Sequence, residues 1–117
     1  MRICPSRAVL ARVGEKWAML ALVTLADGPV RFGGLRRRLQ GVSQKMLSQT
    51  LRNLERDGIV LRVVATERPL RVDYHLTERG QTLLPLAMAL KTWAEQNLKE
   101  IERSNARFDR RAAVRSS

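Results

Sequence analysis

The stretch from residue 41 to residue 58 constrains the fold most, because it carries every signal that one amphipathic helix needs. Ser43 suits the position before a helix, where its side chain accepts a hydrogen bond from a free backbone N–H. Leu47, Leu51 and Leu54 recur at helical spacing, which places them on one buried face. Gly58 can take the left-handed conformation that ends many helices. We therefore predict a helix that begins after Ser43 and ends at Gly58.

The opposite face of this helix carries amides, a hydroxyl and cations. An ordinary solvated helix would show pairs of glutamate and lysine instead, and here the acids Glu55 and Asp57 come only at the end. Each outward side chain can reach a base edge or a phosphate. For an isolated stretch a plain solvated face would still be the better interpretation, so the flanking segments decide. The candidate DNA-binding residues of this stretch are Ser43, Gln44, Lys45, Ser48, Gln49 and Arg52.

The flanking segments complete the layout of a known DNA-binding motif. Residues 32–39 predict a short helix. The tight Gly41-Val42 link joins it to the helix that begins after Ser43, as in a helix-turn-helix. Residues 61–66 and 71–76 alternate with period 2, as strands do, and a basic tip joins them. Val30-Arg31 can add a short edge strand. Helix, turn, helix and hairpin together predict a winged helix, whose further phosphate-binding candidates are Arg36, Arg37, Arg68 and Arg71.

The charge of the chain narrows the class of partner. Its 22 basic and 11 acidic residues give a formal net charge of +11, which favours a polyanion, most simply nucleic acid. One cysteine excludes an internal disulfide and a cysteine-rich metal site. The single histidine, His75, has no nucleophile or second base beside it in the sequence. We therefore expect double-stranded DNA as the partner, no metal or other cofactor, and no enzymatic activity.

Helices are predicted at both ends of the chain. Pro5 suits the first turn of an N-terminal helix, and Thr77 can cap a long final helix that Pro85 should kink or break. The apolar stripes on the final helix are wider than one small domain can cover, so we assign part of them to a second copy of the chain. The expected dimer interface consists of Val9, Leu10, Val13, Leu90, Ala94, Leu98 and Ile101.

The predicted fold class is mainly α with a small β-hairpin wing, that is, a winged helix-turn-helix with terminal dimerisation helices. We expect one domain over residues 1–103 and a basic, disordered tail over residues 104–117, which has little to bury. The longest apolar run, residues 18–26, is too short to span a bilayer, which favours a cytoplasmic protein.

The helix-turn-helix, the wing and the segments before them resemble the HxlR-type winged helix-turn-helix transcriptional regulators, which are relatives of the MarR type. The resemblance implies a homodimer, joined through its terminal helices, that binds operator DNA as a repressor or an activator. In some members of the family an N-terminal cysteine senses oxidants or electrophiles, and Cys4 resembles that position. The matching segments include Gly14-Glu15-Lys16-Trp17, Asp27-Gly28-Pro29-Val30-Arg31-Phe32, Gly41-Val42-Ser43-Gln44-Lys45-Met46-Leu47, Leu51-Arg52-Asn53-Leu54-Glu55-Arg56-Asp57-Gly58 and Val72-Asp73-Tyr74-His75-Leu76-Thr77.

Two other functions are compatible with a winged helix. The first is a protein–protein interaction module without sequence-specific DNA binding, but a protein-docking face should carry exposed apolar anchors where residues 43–54 show amides and cations. The second is RNA binding, and the scarcity of aromatic residues for base stacking counts against it.

Overall fold

The structure is a computed structural model that describes residues 5–66 and 71–116. The contacts between residues divide the chain into two compact units, Met1–Ala87 and Met88–Ser117. Five α-helices, one short 3-10 helix and three strands follow one another in these described residues. They are α1 (Pro5–Val13), α2 (Lys16–Thr24), the 3-10 helix Leu25–Asp27, β1 (Val30–Arg31), α3 (Phe32–Arg38), α4 (Gln44–Arg56), β2 (Val60–Ala65), β3 (Arg71–Leu76) and α5 (Glu78–Ser116).

The core forms around the leucine face of α4. Leu47, Leu51 and Leu54 are each at most 1% exposed, as their spacing predicted. They belong to one cluster with Leu22 of α2 and Leu35 of α3. Burying each such side chain contributes roughly 1.5–3 kcal/mol. The leucine face therefore holds α4 in place while its other face stays in solvent.

Both ends of α4 lie where the sequence predicted them. Ser43 Oγ accepts a hydrogen bond from the backbone N–H of Met46 at 3.0 Å. At the other end Gly58 has φ +75°, a conformation that L side chains rarely adopt. The linker before α4 uses a second such residue, Gly41, with φ +93°. The sequence signals for this helix are thus confirmed at residue level.

The three strands form an antiparallel sheet in the order β1-β3-β2. The short β1 strand was predicted and pairs with β3, so that Val30 lies opposite Tyr74. Arg62 of β2 lies opposite Tyr74 on its other side. Residues directly opposite on neighbouring strands point to the same face of a sheet. Val30, Arg62 and Tyr74 therefore share the inner face.

Only some of the apolar residues of β2 contribute to the core. Val60 is buried at 2% exposure, whereas Leu61 and Val63 are 53% and 38% exposed. Their cross-strand partners are His75 and Asp73, so these residues form the outer face of the sheet. Because β2 is apolar on both faces, period 2 alone could not tell which set lies inside.

Thr77 joins the end of α4 to the start of α5. Its hydroxyl donates to the carbonyl oxygen of Gly58 at 2.6 Å and accepts from the N–H of Gly80 at 3.1 Å. Its own backbone N–H donates to the carbonyl oxygen of Ile59 at 3.1 Å. Gly80 lies so close to this segment that an added Cβ would overlap the Ile59 carbonyl oxygen. Thr77 thus caps α5, as expected, and also fixes the two helix ends to each other.

The final helix differs from expectation in its length. α5 runs through Pro85 and continues to Ser116, whereas the sequence predicted a disordered tail from residue 104. Arginine and alanine are good helix formers, and an ion pair between Arg103 and Glu100 adds to the helix at this point. Along the described part of the chain, no helix combines the length and apolarity that crossing a bilayer would need.

Candidate nucleic-acid interface

The outward face of α4 presents the side chains that the sequence singled out. Gln44, Lys45, Gln49 and Arg52 are exposed, and Ser48 is half-buried. Ser43 caps the helix, so its oxygen is occupied by the Met46 N–H and only its hydroxyl proton is available for a phosphate. Gln44 and Lys45 occupy the first turn of α4, where the partial positive charge of a helix favours an anion.

One side of this face forms a shared concavity with the sheet. Gln44, Ser48 and Arg52, spaced four residues apart, line it together with Phe32, Glu55, Arg62 and Tyr74. Arg62 was not among the predicted site residues, because the alternation in β2 did not show which of its faces lies inside. The register of the hairpin could have identified Arg62, because it pairs Arg62 with Tyr74. Tyr74 lies on the apolar face of β3, between Val72 and Leu76. Arg62 adds a cation beside the polar row of α4.

The other side of the face is organised by a hydrogen bond within α4. The side-chain amide of Gln49 donates to Asn53 Oδ1 at 3.1 Å. Both residues line a second concavity, together with Ala11, Arg12, Glu15, Met46 and Thr50. Gln49 thus points to a different side of α4 from the row of Gln44, Ser48 and Arg52. Asn53 was not predicted as a site residue, although its spacing of four residues from Gln49 was the available signal.

The predicted phosphate contacts lie on three elements. Arg36 and Arg37 are exposed on α3, and Lys45 is exposed on α4. Arg71 is on β3, where its Nε lies 3.5 Å from Asp73 Oδ2, so its charge is partly balanced within the sheet. Arg68 lies outside the described residues. Arg36, Arg37 and Lys45 are therefore the described candidates for which the structure shows no carboxylate partner among residues 5–66 and 71–116.

An ion pair anchors the C-terminal end of α4. Arg12 of α1 donates from Nε and Nη2 to the two carboxylate oxygens of Asp57, at 2.7 and 3.1 Å. These hydrogen bonds, followed by the attraction of the Asp57 charge, raise the pKa of the Arg12 guanidinium above its ordinary value. Two parallel bonds between a guanidinium and a carboxylate restrict direction as well as distance. Because the two residues are 45 positions apart, sequence pattern alone could not pair them.

The residues assigned to a dimer interface expose apolar surface in the single chain. On α1, Val9 and Leu10 are 43% and 67% exposed, and Val13 is half-buried. On α5, Leu90 and Leu98 are more than half exposed, and Ile101 is 39% exposed. Ala94 is exposed as well. Their role in an interface stays a prediction. Cys4, the candidate redox sensor, lies outside the described residues.

The structure offers no metal site in the part of the chain that it describes. Within residues 5–66 and 71–116, no three His, Cys, Asp or Glu side chains come together in a way that could hold an ion.

Comparison with known proteins decides the family. The HxlR-like helix-turn-helix family matches residues 12–102, which contain α2, the helix-turn-helix, the sheet and the first part of α5. The chain belongs to this family. Members are transcriptional regulators and not enzymes, which confirms the resemblance and the expected absence of catalysis. The helices and the small three-stranded sheet confirm the predicted mainly α winged helix.

Individual HxlR-like proteins are similar over most of the chain. An HTH-type transcriptional regulator of Escherichia coli (strain K12), YtfH, is 45% identical over 98 residues, which cover 84% of this chain and 78% of YtfH. The structure of the redox regulator HypR in its reduced form is similar to this chain, with a TM-score of 0.77 at 39% identity, over 86% of this chain and 99% of HypR. Diamide-treated YodB from Bacillus subtilis has a TM-score of 0.68 at 36% identity and covers 82% and 96% of the two chains.

Proposed function

We propose that this HxlR-like regulator is a homodimer that binds operator DNA sequence-specifically through α4. The observation that carries the proposal is the division of α4 into two faces, one of buried leucines and one of exposed amides and cations. A helix fits the major groove, which is about 12 Å wide, and there each base pair shows a distinct set of donors and acceptors. Such a helix can therefore tell one sequence from another.

In this arrangement the side chains have separate tasks. Gln44, Ser48, Gln49 and Arg52 read base edges, because they carry donors and acceptors on the exposed face. The cations around them meet phosphates, which sets the position of the protein but carries no sequence information. These are Arg36, Arg37, Lys45, Arg62, Arg68 and Arg71, with Ser43 as a hydroxyl donor.

The dimer supplies the length of DNA that one helix cannot read. Two α4 helices related by a two-fold axis would contact inverted half-sites about 34–36 Å apart, one turn of DNA. The exposed apolar residues of α1 and α5 are the surface that we assign to this contact.

The experiment that tests this function is footprinting of the purified protein on the DNA that flanks its own gene. We expect protection of an inverted repeat, with binding that weakens about 10³–10⁵-fold between 50 and 200 mM salt if roughly 6–10 phosphates are contacted. A protein that binds no duplex would instead support the interaction module, and one that binds all duplexes equally would be a DNA-binding protein without the proposed sequence preference. Binding that is nearly independent of salt would exclude the assigned phosphate contacts.

A second proposal concerns regulation by oxidation at Cys4. It is favoured by the similarity to HypR, which is titled a redox regulator and was solved in oxidised and reduced forms. Thiolate is the reactive form of cysteine, and the neighbouring Arg2 and Arg7 in the sequence favour ionisation. Diamide treatment should change operator affinity in the wild type and leave Cys4→Ser unchanged. Equal responses of the two proteins would exclude Cys4 as the sensor.

A further inference from the structure

The last part of α5 carries a face of arginines that the function proposed above does not use. Arg103, Arg107, Arg110, Arg111 and Arg115 are all exposed. At 3.6 residues per turn they fall within an arc of about 140° around the helix axis. Glu102 and Asp109 lie on the opposite side by the same count. We call these five residues the arginine face.

The arginine face lies beyond the region that defines the family. The family match ends at residue 102, and α5 continues to Ser116. The segment of residues 103–117 holds five arginines and one acid, Asp109. The helix-turn-helix and its wing are complete without it. Its charge therefore lies outside the region that matches the family.

Helix stability does not explain the arrangement. Cations favour the C-terminal end of a helix, but only within its last turn, which contains Arg115 alone of the five. Arg103 and Arg107, Arg107 and Arg111, and Arg111 and Arg115 are each four residues apart, and like charges at that spacing destabilise a helix. Arg103 is paired with Glu100. In the part of the chain that the structure describes, the other four form no ion pair.

A row of arginines on one side of a helix, four of the five without an ion pair in the described part of the chain, is matched by a regular row of anions. From residue 103 to residue 115 the helix rises about 18 Å, and duplex DNA presents about one phosphate charge per 1.7 Å of its axis. Arginine binds phosphate through two parallel hydrogen bonds and keeps its charge at any physiological pH.

We propose that the arginine face is a second DNA-binding surface, which contacts the phosphate backbone independently of base sequence. The proposal rests on the proposed function in taking duplex DNA as the partner. The surface adds affinity for any duplex, and α4 supplies the preference for one sequence. A phosphate contact between an arginine and DNA releases a condensed counterion, so the surface should be visible in the salt dependence of binding.

An anionic membrane surface is the other partner that a basic helix can meet. Membrane-binding helices place a broad row of bulky apolar residues opposite their cations. Beyond residue 102, the only bulky apolar residues are Phe108 and Val114. Val114 stands among the arginines, next to Arg110, Arg111 and Arg115. Phe108 alone would remain as an anchor, which favours DNA.

The test compares two triple variants that differ in charge and not in helix propensity. Arg107, Arg110 and Arg111 are replaced together by Gln or together by Lys, since Arg, Lys and Gln form helices about equally well. Binding to a 40-base-pair duplex of mixed sequence is measured by fluorescence anisotropy between 50 and 200 mM salt. Each lost phosphate contact lowers the slope of log affinity against log salt by about 0.9.

The Gln variant should lower that slope by about 2.7 for each chain that contacts the duplex. Between 50 and 200 mM salt, its affinity should therefore fall roughly 40-fold less than that of the wild type. The Lys variant should keep the wild-type slope, because it keeps the charges. Thermal unfolding and sedimentation of both variants check that a change in slope does not come from lost folding or assembly. A Gln variant with the wild-type slope would overturn the proposal. So would binding to vesicles of phosphatidylglycerol and phosphatidylcholine that the Gln variant loses while its DNA binding is intact.

The outcome can be separated from that of the proposed function. If footprinting finds an operator and the Gln variant has the wild-type slope, the arginine face is excluded while α4 remains the reading helix. If no operator is found and the Gln variant still lowers the slope, the chain is a DNA-binding protein without the proposed sequence preference.

Discussion

Gln49 is oriented on the exposed side of α4 by a hydrogen bond within the helix. Its amide nitrogen carries two N–H groups, and one of them is bonded to Asn53 Oδ1. The second N–H and the carbonyl oxygen remain, and these are the donor and the acceptor that an adenine edge requires. In the proposed complex, Asn53 would therefore be a positioning residue that holds the Gln49 amide for a base edge.

Replacing Gln49 by Ala should reduce affinity by about 1–3 kcal/mol at one or two base pairs and relax the preference there. Competition binding with single-base operator variants measures this change. Arg36→Ala is the control, because loss of a phosphate contact weakens binding to all sequences alike. An unchanged base preference in Gln49→Ala would show that this residue does not read DNA.

Asn53→Ala distinguishes a positioning role from direct contact. The Gln49 amide keeps all its groups in this variant but loses the bond that orients it. We expect a smaller loss than in Gln49→Ala, at the same base pairs, in the same competition assay. A loss at different base pairs would mean that Asn53 itself contacts DNA.

At the scale of elements, the start of α5 is packed against the segment that follows α4. A Cβ at Gly80 would overlap the Ile59 carbonyl oxygen and approach Leu76 Cδ2 to 3.1 Å. Backbone cannot move aside as a flexible side chain can. The glycine is therefore required by the close approach of two elements.

Gly80→Ala should lower the free energy of unfolding by about 1–3 kcal/mol, as overpacking usually does. Gly33→Ala is the matched control, since its added Cβ would meet only the end of the Arg37 side chain at 3.4 Å. Because Gly33 lies in α3, Gly33→Ala should raise the free energy of unfolding by up to about 1 kcal/mol. Urea unfolding followed by circular dichroism measures both. Equal effects of the two changes would contradict the packing argument.

The elements predicted correctly from the sequence are those whose signals are local. The cap at Ser43, the leucine spacing and the turn at Gly58 each depend on neighbours within a few residues, and α4 formed between them as predicted. The pair of Arg12 with Asp57 depends on a tertiary contact, which no local pattern contains. The pairing of Arg62 with Tyr74 follows only once the register of β2 against β3 is known. The helix over residues 104–116 was missed because polar composition was taken as a sign of disorder, although arginine and alanine favour helices.

At the scale of the whole molecule, assembly decides whether an operator can be found. One recognition helix meets too few base pairs to select a site in a genome. The exposed stripe of Leu90, Ala94, Leu98 and Ile101 on α5 recurs at spacings of four and three residues, as helix–helix contacts require. We propose that it pairs with a second copy over more than about 1,200 Å².

Replacing Leu98 and Ile101 together by Glu should produce monomers that no longer bind the operator, because two charges would be buried in an apolar contact. Thr92→Glu with Gln96→Glu is the control, which adds the same charge to α5 outside the stripe. Sedimentation at micromolar concentration measures the assembly of both variants. A wild-type monomer that still protects a site without inverted symmetry would contradict the dimer.

The joint at Thr77 has a mechanical consequence for such a dimer. The hydroxyl and the backbone N–H of this residue connect the start of α5 to the end of α4. The 13 residues of α4 form a lever about 20 Å long. If the start of α5 and α4 turned together as one body by about 10° about this point, the far end of α4 would move by about 3.4 Å, the rise of one base pair along a strand. In the proposed complex, a small turn at the start of α5 would therefore displace the start of α4 by about one base-pair step.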